Sequence, residues 1–443
     1  MPVSQIAIPF VQWLAMLSTP LDRRSAARLA KLWLGVVLAR GRRTVTRWIR
    51  AAGLSEQFRG CYDTVAAAGK QADVIAAKLA NVAVKPLVAG ETRLLFALDD
   101  TPTQRYGPKV QGAGLHHNPA PGPAGGPFVY GHVWVVLALL APHAAWGTIA
   151  LPLLSRLYIR QKDLPSLAPR HRPEFRTKLE LAIELLTWAK TWLHSGGKAL
   201  GIVADGAYAN APFLKPAIHL GFTVVSRLRK DAALFDVPPP RRQGQRGRHR
   251  KYGEHRISLL GRATHRHGWQ TGDFNLYGKA MTKTYKTFLA TWPPAGGVIR
   301  VVIVRETHGW LAFFSTDPDA TVADILEAVA DRFSLETAFR DLKEIVGAGQ
   351  QQTRFHFANV GAFHLCLWTF TLTEAWSWHR SEAELVDRRS SPWDVEPRRP
   401  SHADKRNALR RQLLREELTA VLSSSPTVEE LHAAAERLIQ LAA

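Results

Sequence analysis

The sequence is short of cysteine, of acidic residues and of unbroken apolar runs, and each shortage narrows what the chain can be. Cys61 and Cys366 are the two cysteines among 443 residues, far apart and without C-x-x-C spacing. That pattern excludes a disulfide framework and a cysteine-based zinc site, and it suits a reducing compartment. The longest apolar stretch, WVVLALLAPHAAWGTIALPLL from Trp134, is interrupted by Pro142 and His143. Two buried strands explain it better than a membrane span. The opening MPVSQIAIPFVQWLAML has no basic start and no small-residue cleavage pattern, so no signal peptide is expected. No internal repeat is visible. Acids number 37 against 58 Lys plus Arg, a formal net charge of +21. Such an excess favours a polyanionic partner, because each phosphate neutralised releases a condensed counterion. A ribosome-associated protein or a merely basic surface would carry the same signal.

What is present falls into four segments. Residues 1–88 read as helical, rich in Ala, Leu and Arg with apolar spacing of i, i+3, i+4. Within them ARLAKLWLGVVLARGRRTVTRWIRAAGL reads as helix, break at Gly41, and a second helix capped by Thr44. With Arg42, Arg43, Arg47 and Arg50, this shape suits a helix-turn-helix reader of the DNA major groove, or equally a helical hairpin with a basic solvated face. Residues 89–229 and 309–376 alternate buried strands with amphipathic helices. RLLFALDD is a strand ending in acids, and a Gly/Pro/His-rich loop follows from Thr101 to Pro127. Two further strands, a helix, the strand KALGIVADGAY, another helix and the strand GFTVVSRLR come next. That order predicts an α/β fold: an RNase H-like mixed sheet with helices on both faces. Residues 230–308 read as a β-rich insertion that opens with an exposed basic loop containing Arg246 and Arg248. Residues 377–443 read as a charged linker followed by C-terminal helices.

Three positions carry acids where chemistry would need them. Asp99 and Asp100 close one buried strand, Asp205 closes another, and Glu336 lies on a helix after the insertion. Strand-end carboxylates project above the sheet edge, where ligands bind in α/β folds. Hard oxygen ligands of this kind suit Mg²⁺ or Mn²⁺, and a bound cation would offset their mutual repulsion. Any one acid alone is more often a turn residue, a cap or a salt-bridge partner. On the helix DRFSLETAFRDLKEIVG, at about 100° per residue, Arg332, Glu336 and Lys343 fall within about 40° of one another, with Arg340 nearby. Ordinary i, i+4 ion pairs on a surface helix are the plain alternative. His116 and His117 have no further ligand at zinc spacing, and with Lys109 they belong to a flexible loop beside the substrate.

These residues resemble the D-D-E insertion-sequence transposases of bacteria, in the cut-and-paste group with a β insertion before the glutamate. That group carries Y-x-x-R-x-x-x-E-x-x-x-x-x-x-K on its last helix. Arg332, Glu336 and Lys343 match, while Val329 stands at the tyrosine position. LDDTP fits the first acid as Asp99, with Asp100 as the alternative, and VADGAY fits the second as Asp205. The resemblance covers about residues 20 to 375. It implies that Asp99, Asp205 and Glu336 hold two Mg²⁺ (or Mn²⁺) ions, and that water frees a 3′-hydroxyl at the transposon end, which then joins target DNA. It implies that Arg332 and Lys343 contact phosphates and that the protein acts as a homodimer on double-stranded DNA, with no membrane, in the bacterial cytoplasm at the nucleoid. Related enzymes can hold a flipped base on aromatics of the insertion, for which Trp269, Trp292 and Trp310 are candidates, though each is more often a core residue. The rivals are a structure-specific nuclease on the same core and a repurposed transposase that only binds DNA.

Overall fold

The computed structural model describes residues 10–118, 125–241, 247–389, 391–423 and 426–442. The described residues open with five α-helices: α1 (Phe10–Ser18), α2 (Arg23–Leu38), α3 (Val45–Ala51), α4 (Phe58–Lys70) and α5 (Ala72–Leu79). The break between α2 and α3 has the expected chemistry. Gly41 takes a left-handed φ of 62°, and Thr44 caps α3 by accepting from Arg47 N at 3.2 Å. Trp48 of α3 is buried while Arg47 and Arg50 face out.

The core then runs β1 (Arg93–Gln104), β2 (Gly114–His117), β3 (Phe128–His143), β4 (Gly147–Tyr158), α6 (Lys178–Trp192), β5 (Ala199–Ala204), α7 (Ala211–His219) and β6 (Phe222–Leu228). Strand β1 is central. It pairs antiparallel with β3 on one side and parallel with β5 on the other, and β5 continues parallel to β6. The fold is mixed α/β, consistent with an RNase H-like core. The loop expected from Thr101 starts later, because β1 continues through Pro102 to Gln104. Proline is tolerated there since β5 pairs with β1 only as far as Leu98, leaving that edge without a ladder.

The segment that follows contains β7 (Leu234–Phe235), β8 (Arg256–Ile257), α8 (Leu259–Thr264), β9 (Gln270–Leu276), β10 (Lys279–Trp292), β11 (Gly297–Glu306) and β12 (Gly309–Ser315). Strand β12 returns and pairs antiparallel with β6, Ala312 opposite Leu228. All twelve strands among the described residues therefore belong to one sheet, whose main path is β2-β3-β1-β5-β6-β12-β11-β10-β7-β8.

Helix α9 (Val322–Asp341) starts with a capping box between Thr321 and Asp324 and ends in a π turn, Leu342–Val346. It lies against β1, β4, β5 and β6. The apolar α10 (His356–Ser377) packs on β4 and α4. After α11 (Glu382–Leu385), the charged stretch read as a linker is helical from His402, as α12 (His402–Ser423), and α13 (Val428–Ala442) closes the described chain. No helix among the described residues is long and apolar enough to cross a membrane. Both cysteines are buried free thiols.

Candidate active site

The site begins with the parallel pairing of β1 and β5, whose last matched pair is Leu98 with Ala204. The next residue on each strand is an acid, Asp99 on β1 and Asp205 after β5. Neighbouring strands lie about 4.8 Å apart, so two carboxylates leave the sheet side by side. Asp205 also caps the turn Gly206–Tyr208, its Oδ2 accepting from Ala207 N at 3.2 Å.

Successive strand residues point to opposite faces, and Asp99 and Asp100 part accordingly. Asp99 faces α9, where Arg332 donates to its Oδ2 at 2.6 Å. The same guanidinium donates to Glu336 Oε1 at 2.8 Å. Asp100 faces α6, where Lys178 Nζ donates to its Oδ2 at 2.7 Å and the Tyr208 hydroxyl donates to its Oδ1 at 3.4 Å. Asp99, Asp205, Arg332 and Glu336 thus converge at one end of the sheet, and Asp100 has its own cation on the other face.

Burial pushes the Asp99 carboxyl up to about 6, with Asp100 and Asp205 adding to the rise and Arg332 opposing it. Desolvation thus outweighs the one cation, Arg332, that pairs with Asp99. Among the described residues no three His, Cys, Asp or Glu side chains form a ready-made metal cage. Even so, the donor set fits a hard divalent cation in kind, being carboxylate oxygen only. Two of the acids already converge on one positive group, the Arg332 guanidinium.

The remaining expected residues scatter more widely. Lys343 is half-buried in the π turn, burial lowers its ammonium, and it makes no ion pair with the acids. Arg340 turns to Asp341. Arg43 is drawn inward, its backbone N–H donating to Gln350 Oε1 at 2.7 Å. Arg42, Arg47, Arg50, Lys109 and Arg248 are exposed, and Arg246 lies outside the described residues. Trp292 is buried against Phe314. Trp269 carries Arg305 at 4.4 Å and Lys286 at 4.8 Å over its ring, and Trp310 carries Lys230 at 5.1 Å. His116 is buried in β2, which holds its imidazole down at about 4, and His117 sits edge-on to Phe128. Lys178 and Tyr208, the partners of Asp100, were not singled out in advance. The pairing of β1 with β5 brings Tyr208 to Asp100 and the packing of α6 on the sheet brings Lys178, and neither has a spacing relation to Asp100 in the sequence.

The family described as DDE superfamily endonuclease matches this chain over residues 16–286. That is more than half of its length, and it includes Asp99 and Asp205. The chain belongs to the DDE superfamily endonucleases. A search of curated proteins finds no match. In this DDE endonuclease, then, the helical N-terminal part from residue 16, the first six strands and much of the inserted sheet lie inside the matched region. Glu336 lies beyond it, and its link to the DDE endonuclease's first acid is the shared Arg332.

Proposed function

We propose that this DDE endonuclease is a transposase, cutting DNA at transposon ends and joining the freed ends to target DNA, with Asp99, Asp205 and Glu336 as its catalytic acids. The observation that carries the reading is the convergence of Asp99 and Glu336 on one guanidinium, from elements far apart in sequence, beside the strand-end Asp205. The three acids would hold two Mg²⁺ or Mn²⁺ ions, whose chemistry when bound is to activate a water or hydroxyl and stabilise the leaving oxygen of a phosphodiester.

The chain's own residues do the rest. The turn after β5 holds Asp205 by its capping bond, so that carboxylate is oriented before substrate arrives. Lys178 keeps Asp100 on the far face and out of the cluster. Arg332 balances the part-buried Asp99 and the exposed Glu336 and presents a fork that also suits a phosphate, beside the bond to be broken. Lys343, Lys109, Arg42, Arg47, Arg50 and Arg248 extend the basic surface for duplex DNA. Cleaving both ends of an element in one complex calls for two copies, so a homodimer is expected on DNA, in the cytoplasm where the nucleoid lies.

The test is cleavage of DNA carrying the ends that flank the gene, with Mg²⁺, by the intact protein and by Glu336→Ala. Nicking at those ends, lost in the variant, is the expected result. Tight end binding without cleavage by either protein would overturn the reading in favour of a repurposed binder. Cleavage governed by DNA structure rather than end sequence would overturn it in favour of a repair-type nuclease.

A further inference from the structure

Strand β1 outlasts one of its neighbours. Its ladder with β5 ends at Leu98 and Ala204, while its ladder with β3 runs on to Gln104. Both strand-end acids stand just past that last β1–β5 pair, where the ladder no longer fixes the spacing of the two chains. A cation held between two carboxylates is sensitive to that spacing.

A side-chain tie crosses the same gap. Tyr208 closes the turn that Asp205 caps, and its backbone N–H donates to Asp205 O at 2.9 Å. Its hydroxyl donates to Asp100 Oδ1 at 3.4 Å. Asp100 in turn holds its neighbour, its backbone N–H donating to Asp99 Oδ1 at 2.8 Å. Hydrogen bonds therefore lead from the backbone of Asp205 through Tyr208 and Asp100 to the carboxylate of Asp99.

The members of this tie are themselves fixed. Tyr208 is 2% exposed, with its ring edge-on to Phe213 of α7 at 5.6 Å between centroids. Burial, and then the field of Asp100, Asp99 and Asp205, holds its phenol well above the usual range, so the hydroxyl stays a neutral donor. The second oxygen of Asp100 is taken by Lys178 at 2.7 Å, and Lys178 opens α6 behind the Thr177–Glu180 capping box. With one oxygen on each partner, Asp100 is not free to turn. Phenylalanine would fill the buried space of the Tyr208 ring equally well, and the hydroxyl has its use in the bond to Asp100.

We propose that Tyr208 and Asp100 are positioning residues, a hydrogen-bonded tie across the open end of the β1–β5 ladder that sets the separation of the Asp99 and Asp205 carboxylates and so favours a small divalent ion over a larger one. The inference rests on the reading of Asp99, Asp205 and Glu336 as ion ligands, and it adds what selects the ion. Mg²⁺ demands oxygens at about 2.0–2.1 Å in near-ideal octahedral geometry, whereas Ca²⁺ accepts about 2.3–2.6 Å and looser arrangements. Slack between the acids therefore weakens Mg²⁺ more than Ca²⁺.

The test is calorimetric titration of the whole chain, free of DNA, with Mg²⁺ and separately with Ca²⁺, read as the ratio of the two affinities. Tyr208→Phe keeps the buried ring and removes the hydroxyl. It should shift the ratio against Mg²⁺ by about tenfold, as loss of a partner behind a metal ligand does. Asp100→Ala should do the same. Asp100→Asn should keep most of the ratio, because an amide still bonds the hydroxyl and the change of charge acts alike on two divalent ions. The two Asp100 variants give the answer on their own if Tyr208→Phe does not fold. A fold merely loosened by substitution would weaken both ions equally, and an unchanged ratio in Tyr208→Phe overturns the proposal while leaving the three acids as ligands. So does a ratio shifted as far in Asp100→Asn as in Asp100→Ala. Loss of both ions in Asp100→Asn but not in Asp99→Asn overturns it by making Asp100 the ligand itself. Failure of the intact protein to bind either ion sinks the reading of the acids as ion ligands and this proposal together.

Discussion

Asp99 and Asp100 differ by one residue and have opposite surroundings, and that difference has a consequence in pH. Asp100 has Lys178 at 2.7 Å on its own face, whereas Asp99, although Arg332 donates to it at 2.6 Å, is desolvated beside Asp100 and Asp205 and rises to about 6. An acid whose native pKa is raised favours the folded state when protonated. Its contribution to stability therefore falls as pH climbs from 3.8 to about 6. Cation binding runs the other way, because the ligand must be the carboxylate. Calorimetric titration of the DNA-free protein should show Mg²⁺ affinity weakening about tenfold per unit below pH 6 and levelling above it. Arg332 lowers the Asp99 carboxyl, so Arg332→Ala should move that break upward. Affinity flat from pH 5 to 7 in the intact protein would show that Asp99 is ionised throughout. The two candidate acids were both legible in LDDTP, but which of them faces the glutamate helix was not. Period-two reasoning says they face apart without saying which face carries α9.

At the scale of elements, the helices hold together by two devices of different legibility. Helices α4 and α10 cross backbone to backbone at paired glycines: a Cβ on Gly361 would lie 1.9 Å from Val65 O, and one on Gly69 would lie 2.1 Å from Phe357 O. Gly361→Ala should therefore cost about 1–3 kcal/mol or more and loosen the N-terminal helices from the core. The checks are a lowered melting temperature and earlier proteolysis between α4 and β1. Helix α12 is anchored differently. Lys405 Nζ donates to Glu374 Oε2 at 2.5 Å, His402 shares the other oxygen at 2.7 Å, and all three are buried. Burial raises the Glu374 carboxyl, but Lys405 and His402 outweigh it and bring it to about 2. That stabilisation is complete above 4.5 and is lost as pH falls toward 2. Lys405→Met should cost about 3–5 kcal/mol by stranding a buried carboxylate, and adding Glu374→Leu should recover most of it. Urea midpoints at pH 7 check both, and a double variant no better than the single one would show that the pair itself stabilises. The stretch holding Lys405 reads as solvated linker because its composition is charged. Arg406 is likewise buried, donating to Val36 O and Ala39 O at the end of α2. Composition cannot tell a charge that meets water from one that meets a carbonyl. The helix of Glu336 and its Arg332 were readable because the i, i+4 relation between them is local in sequence.

For the whole molecule, the sheet and the charge pull in different directions. The segment from Lys230 to His308 reads as a β-rich insertion, and its strands β10 and β11 continue the core sheet through β12, which pairs with β6. Such a pairing joins stretches distant in the chain, and nothing in the alternation of either strand names its partner. What is delocalised and legible from the outset is the net charge of +21. Spread over exposed Arg47, Arg50, Lys109 and Arg248, it predicts binding governed by counterion release. If the bound duplex uses roughly six to ten phosphates, affinity should fall by about 10³ to 10⁵ between 50 and 200 mM salt. Arg47→Gln with Arg50→Gln should reduce the slope of log affinity against log salt by about two. A loss of affinity with the slope unchanged would mean that α3 reads bases rather than phosphates. An unchanged affinity and slope would place the duplex elsewhere on the protein, away from the α2–α3 break that Gln350 and Gln351 hold.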